Sequence, residues 1–249
     1  MGKKLFWAVL VIALAGPATL YFWMESETPQ PQEPRPPVPP AKPAIRYPIG
    51  PDEDTQPALG DTNNAVGDAL AKLLGQSFDS LFKRQQIVRR IVATIDNLPR
   101  ENLPLQSIPV KSTPGSFLTS GTGESLAVSP ENASRYLSYV RLAEVVPVEA
   151  LVRVYKRFYP IFQTEYQDLG YPDKYFNDRL VEVIDHLLAT PDIQSPVLLT
   201  QPNIIYQFAD PKLERLSAGQ KIMLRIGSEN ASKIKAKLHQ IREALVSTS

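Results

Sequence analysis

The N-terminal part of the chain limits how much of it can fold into a domain. An uncharged run, LFWAVLVIALAGPATLYFW, occupies residues 5–23 and follows Lys3 and Lys4. These nineteen residues would span roughly 28 Å as a helix, close to the ~30 Å hydrocarbon core of a bilayer. The run therefore predicts a single-pass transmembrane helix, a signal anchor. Residues 1–4 would lie in the cytoplasm, because cationic residues favour that side of a membrane.

A cleaved signal peptide is the alternative interpretation of the same segment. Ala13 and Ala15 have the small-residue pattern of a cleavage site after an apolar stretch. Hydrophobicity continues beyond Ala15, however, and ends in an aromatic cluster at Trp23 that is typical of a membrane interface. We therefore favour an uncleaved anchor, and both interpretations export the rest of the chain.

A proline-rich segment follows the apolar run. Eleven prolines lie between Glu25 and Pro57. This composition favours extended polyproline II and cannot bury enough apolar surface to fold. We predict a disordered linker over residues 24–60, with a fully extended reach on the order of 100 Å at ~3.1 Å per residue. Residues 61–249 remain for one domain.

The remaining residues predict a mainly α domain with six or seven helices. The longest predicted helices are 78–97, 148–169 with a kink at Pro160, and 173–189, each with apolar residues at helical spacing. One or two short β-hairpin elements are also predicted. Residues 117–119 are expected to pair with 125–128, while 197–199 and 204–208 are short extended pieces that could pair with each other.

Helix 173–189 carries the strongest candidate chemistry. Asp178, Glu182 and Asp185 fall within about 60° of one another at ~100° per residue, and His186 lies beside Glu182. Carboxylates and a histidine at this spacing could act as acid and base or bind a divalent cation, so Glu182, Asp185 and His186 are candidate catalytic residues. A solvated face explains the same pattern and is favoured, since an apolar stripe lies opposite. We expect no metal site and no cofactor.

The inward stripe of this predicted helix consists of Phe176, Leu180, Val183, Ile184 and Leu187.

The segment before this helix, GYPDKYFNDR, combines turn formers, aromatic residues and charges. It could line a binding cleft, although a tight corner between two helices needs the same residue types. The candidate binding residues are Tyr171, Asp173, Tyr175, Asn177, Asp178 and Arg179. The loop over residues 117–124 is a second exposed candidate.

Composition excludes several classes of function. The chain has no cysteine, so disulfides, thiolate catalysis and cysteine-based metal sites are excluded. Its net charge of +1 provides no overall field that would attract nucleic acid. The sequence also lacks the G-x-S-x-G motif of nucleophilic hydrolases.

Three long segments carry a family resemblance. They are IVATIDNLPRENLP, SYVRLAEVVPVEALVRVYKRFYPIFQTEYQDLGYPDKYFNDRLVEVIDHLLATP and QFADPKLERLSAGQKIMLRIGSENASKIKAKLHQIREAL. The chain resembles the family called domain of unknown function 3014 over residues 78–246. The resemblance implies a bacterial envelope protein of Gram-negative type, anchored in the inner membrane with its bulk in the periplasm. It implies no activity and no role for any residue.

Our functional hypothesis from the sequence is a non-enzymatic, membrane-tethered module. It would bind another envelope component, either a protein or a cell-wall polymer, and no nucleic acid. The alternative is a cell-wall-active enzyme that uses Glu182, Asp185 and His186. Convergence of these side chains in a concave pocket would favour the enzyme.

Overall fold

The computed structural model describes residues 44–49, 62–193 and 196–247. Within these ranges the chain forms ten α-helices and two small antiparallel sheets, which confirms the predicted mainly α fold with short β elements. The predicted transmembrane helix over residues 5–23 lies outside the described residues. Among the helices that are described, none is both long and apolar enough to cross a bilayer.

The elements are numbered here in chain order. The helices are α1 (Thr62–Leu74), α2 (Gln76–Leu81), α3 (Ile87–Asn97), α4 (Leu137–Val145), α5 (Val148–Arg157), α6 (Tyr159–Asp168), α7 (Phe176–Leu188), α8 (Pro211–Glu214), α9 (Ala218–Arg225) and α10 (Ser228–Val246). The strands are β1 (Thr119–Ser120), β2 (Ala127–Val128), β3 (Leu199–Thr200) and β4 (Gln207–Phe208).

The predicted helix 78–97 is wrong as a single element, because the chain turns between α2 and α3. Gln86, just before α3, has a left-handed backbone with φ of 51°. The backbone groups near the break bond to a neighbouring segment instead of continuing a helix. The amide of Lys83 donates to the carbonyl of Pro109 at 2.7 Å, and the amide of Lys111 donates to the carbonyl of Leu81 at 2.8 Å.

The predicted helix 148–169 also divides, into α5 and α6. The break lies at Phe158, whose backbone is not helical. Pro160 has no amide hydrogen to donate to the carbonyl four residues earlier, and its ring clashes there, so the second helix starts anew with proline in its first turn. Together with the short helix α8, which the sequence did not predict, these two breaks account for ten helices instead of seven.

Helix α7 lies at the centre of the helical layer. It packs against α3, α6, α9 and α10, while α10 also packs against α4 and α5. The largest apolar cluster is rich in aromatic residues, including Phe158, Phe162 and Phe176, and the rings of the last two stack with centroids 5.9 Å apart. A second cluster, centred on Val181 and Leu245, joins α5, α7 and α10.

The predicted hairpin is present, and the two extended pieces whose pairing was left open form a second one beside it. Thr119 pairs with Val128 in the first sheet, and Leu199 pairs with Phe208 in the second. The amide of Leu199 also donates to the carbonyl of Leu126 at 2.7 Å, which links the two sheets. A third apolar cluster, built on Val197, Leu199, Phe208 and Leu224, lies beneath these strands.

Candidate functional site

The carboxylates of the predicted catalytic cluster have separate partners in the structure. The Glu182 carboxylate pairs with Arg46 and, at 3.5 Å, with Arg179. The Asp185 carboxylate pairs with the guanidinium of Arg242 on α10. The two groups therefore hold different parts of the chain against α7, and each already has a cationic partner.

His186 belongs to a contact between α7 and α9. Its Nε2 atom lies 2.8 Å from the hydroxyl oxygen of Ser217, the residue that caps α9. Gln220 donates from its side chain to the carbonyl of His186 at 3.2 Å. Burial, assisted by the positive charge of Arg179, lowers the pKa of His186. The imidazole is therefore held in its neutral form at a helix junction.

The arrangement offers no metal site in the part of the chain that the structure describes. No group of three or more His, Asp or Glu side chains in these ranges could hold an ion. Glu182, Asp185 and His186 lie on one face of α7, as their spacing predicts, yet each makes a different contact. A shared reaction centre would require these contacts to open.

Two further polar residues of α7 hold the main chain of a distant segment. The Asp178 carboxylate accepts from the amide of Arg46 at 3.1 Å and from the amide of Tyr47 at 2.8 Å. The side-chain amide of Asn177 donates to the carbonyl of Tyr47 at 2.8 Å. Three neighbouring backbone groups are thus satisfied by two side chains. Asn177 and Asp178 are called the linker clamp below, because residues 44–49 belong to the predicted linker.

The linker clamp is buried, and a tyrosine of α5 stabilises it through a hydrogen bond. Asn177 is fully buried and Asp178 retains 9% exposure, so their hydrogen bonds are shielded from water. The hydroxyl of Tyr155 on α5 donates to the side-chain oxygen of Asn177 at 3.2 Å. Burial raises the pKa of Tyr155 well above its ordinary value, which keeps this phenol a donor. Tyr47 packs against the second apolar cluster.

The corner before α7 is built around a buried carboxylate. Asp96 on α3 retains only 4% exposure and accepts from Arg179 at 3.1 Å, Arg100 at 2.7 Å and the Tyr171 hydroxyl at 3.2 Å. Tyr171 and Arg179 therefore join α3 to α7.

The remaining candidate binding residues differ in exposure. Asp173 is exposed, and Tyr175 is half-buried at the start of α7. No ligand contact tests these residues, so their role in binding stays a prediction.

A large apolar cavity lies on the side of α7 that carries the predicted inward stripe. It has a volume of about 330 Å³, and no polar atom contributes to its wall. Helices α1, α3, α5, α6, α7 and α10 contribute side chains, and from α7 these are the five residues of the predicted inward stripe. The space is partly open to solvent, so it is an apolar pocket rather than a sealed void.

The linker clamp and the cavity could not be found by reasoning from the sequence alone. The clamp had one signal, because Arg46 and Tyr47 place bulky side chains in a segment otherwise dominated by proline and small residues. The cavity had no signal in the sequence, since apolar residues at helical spacing are equally consistent with a filled core and with an empty space.

The fold and the site define a helical domain with a docked segment, residues 44–49, and a partly open apolar cavity. The chain belongs to the family described as Protein of unknown function (DUF3014), whose model matches residues 87–242. The match includes both residues of the linker clamp and confirms the resemblance found in the sequence. Searches of curated proteins and of solved structures found no match.

Proposed function

We propose that this protein is a membrane-anchored, non-catalytic binding module of the bacterial envelope. Residues 5–23 would form the anchor in the inner membrane, and the helical domain would hold a partner in the periplasm at a distance set by the linker. The observation that carries this proposal is the linker clamp, which fixes the main chain of Arg46 and Tyr47 to α7.

A fixed docking point gives the linker a defined length. If residues 44–49 stay on the domain, only residues 24–43 connect the predicted anchor to it. Those twenty residues reach roughly 60 Å when fully extended at ~3.1 Å per residue. This distance matters for a domain that must meet a partner at a certain height above the membrane, and much less for an enzyme with a diffusing substrate.

Exposed apolar side chains in the turn between β3 and β4 favour a protein as the partner. Ile204 and Ile205 are 92% and 73% exposed. The Phe117 and Tyr206 rings, 6.0 Å apart, join this turn to the loop over residues 117–124. Apolar side chains favour a protein surface, whereas a cell-wall polymer presents mostly hydroxyl and amide groups that need polar partners.

Photocrosslinking in the native membrane tests this proposal. A photoreactive amino acid would replace Ile205 in the full chain, with Val145 as the matched control because both side chains are 73% exposed. We expect a discrete protein adduct from position 205 and none from position 145. Deletion of residues 30–40 should reduce the yield of that adduct, because the shorter linker no longer reaches the partner.

Other results would contradict the proposal. If the deletion leaves the yield of the adduct unchanged, the length of the linker does not matter for binding. If both positions give the same adducts, the crosslinks reflect random collision.

The alternative function, a cell-wall-active enzyme, requires Glu182 and His186 to leave their present partners. A Glu182→Ala, His186→Ala double variant that folds normally but loses cellular function would favour the enzyme instead.

A further inference from the structure

We propose that the apolar cavity beside α7 is a binding site for one saturated hydrocarbon chain of roughly ten to twelve carbons, such as a fatty acyl chain. The cavity lies among α1, α3, α5, α6, α7 and α10. This proposal goes beyond the proposed function and does not depend on the anchor or on the partner.

The chemistry of the wall selects the class of ligand. No polar atom contributes to the wall, so any polar group placed inside would lose its hydrogen bonds to water and gain none in return. The hydroxyl of Tyr155 provides no exception, because it donates to Asn177 in the linker clamp. The part of the ligand inside the cavity must therefore be hydrocarbon, and any polar end must remain outside it.

The volume of the cavity sets the size of the ligand. Protein interiors are close-packed, and voids larger than a water molecule are few. An engineered apolar cavity of ~150 Å³ is sufficient to bind benzene, and the cavity here has about 330 Å³. By the same comparison, about twice the volume that holds the six carbons of benzene accommodates roughly twelve carbons.

The docked linker segment does not occupy this space. Tyr47 packs against the second apolar cluster, which shares Val152, Ile184 and Leu245 with the cavity wall, but Tyr47 itself does not line the cavity. The segment over residues 44–49 therefore borders the site and leaves its interior open to a hydrocarbon chain.

Site-directed labelling tests the proposal, because the chain contains no cysteine and any introduced thiol is unique. Val183→Cys on α7 and Leu151→Cys on α5 would place a thiol on the cavity wall. Val140→Cys is the matched control, since Val140 is buried on α4, which contributes no residue to the cavity wall. The purified full chain, with no added lipid, would be treated with decyl methanethiosulfonate.

In the labelling step the cysteine thiolate attacks the sulfur that bears the decyl group. A disulfide forms, methanesulfinate leaves, and the increase in intact mass measures the rate. We expect both cavity cysteines to react on the order of tenfold faster than Val140→Cys, because binding of the decyl chain brings the reagent beside the thiol. Laurate should slow the two cavity cysteines and leave the control unchanged.

The competitors distinguish the source of the chain. If laurate and dilauroyl phosphatidylglycerol both slow the labelling of the cavity cysteines, the site binds the acyl chain of a lipid. If laurate alone slows the labelling, the site binds a free fatty acid. Equal rates for all three cysteines, or rates that laurate leaves unchanged, would overturn the proposal. If Val183→Cys fails to fold, Leu151→Cys carries the same test from the opposite wall.

Discussion

The two sides of helix α7 use their residues in opposite ways. On the polar side, Asp178 and Asp185 each hold another segment of the chain through hydrogen bonds or an ion pair, and the buried Asn177 bonds to the same segment as Asp178. On the inner side, apolar residues such as Leu180 and Val183 border about 330 Å³ of space without a polar atom in its wall. The charged residues look like a reactive site in the sequence, yet they are fully engaged in structural contacts. The inner stripe looks like ordinary core in the sequence, yet in the structure it borders the apolar cavity.

Removal of the Asp178 carboxylate should have the largest effect. Asp178→Ala loses two hydrogen bonds between a charged group and backbone amides, so we expect the free energy of unfolding to fall by about 3 kcal/mol. The freed segment should also become sensitive to trypsin after Arg46. Chemical denaturation and intact mass after limited proteolysis measure the two effects.

Asp185→Ala is the control for this change, because it removes a half-exposed ion pair on the same side of α7. It should leave both measurements close to wild type. Equal effects of the two variants would show that the linker clamp is an ordinary surface contact.

Enlarging a buried valine should distinguish the cavity wall from packed core. Val140→Phe enlarges a buried residue of α4, and overpacking of this kind costs about 1–3 kcal/mol. Val183→Phe enlarges a residue of the cavity wall, so its cost should be smaller by about 2 kcal/mol. Denaturation midpoints of the two variants provide the comparison. A Val183→Phe variant as unstable as Val140→Phe would mean that the space beside α7 is closed in solution.

Tyr155 connects the two sides, because its ring lines the cavity and its hydroxyl donates to Asn177. Tyr155→Phe keeps the ring and removes that donor. We expect a loss of about 1 kcal/mol in the free energy of unfolding, the usual value for one hydrogen bond. Faster trypsin cleavage after Arg46 should accompany the loss, since the clamp loses its support. Cleavage at the wild-type rate would contradict the connection.

His186 should produce the smallest effect, and only at acidic pH. Burial lowers its folded-state pKa below the ordinary value of 6.5. As the pH falls below that value, the unfolded chain binds a proton that the folded protein resists, so stability decreases. Melting temperatures between about pH 7.5 and 5.5 should therefore fall more for wild type than for His186→Gln, which cannot titrate there. If wild type and His186→Gln lose the same melting temperature between these pH values, titration of His186 is not the cause of the loss.

Local sequence patterns predicted the helices better than they predicted contacts. Helix 173–189 was expected from its period and exists as Phe176–Leu188, with the predicted stripe facing inward. The break near Pro160 was anticipated as a kink, whereas the structure has two helices that meet at the non-helical residue Phe158. The left-handed turn at Gln86 left no clear signal, because glutamine rarely adopts that conformation.

The candidate site was harder to predict than the fold because its contacts join distant parts of the chain. The polar face of α7 was visible in the sequence, but Arg46 and Tyr47, which bind to it, lie about 130 residues earlier. Cavity volume depends on how six helices fit together, and residue spacing contains no information about that fit. The chemical types of the side chains were therefore predictable, while their partners were not.

Amide hydrogen exchange at Arg46 and Tyr47 tests whether residues 44–49 are docked on α7. Both amides of the full-length protein should exchange far more slowly than those of a free peptide, because the Asp178 carboxylate accepts both of their hydrogens. Asp178→Ala should abolish this protection, and Asp185→Ala, which removes an ion pair to α10, should preserve it. Exchange at free-peptide rates in the wild-type protein would show that the linker is not docked.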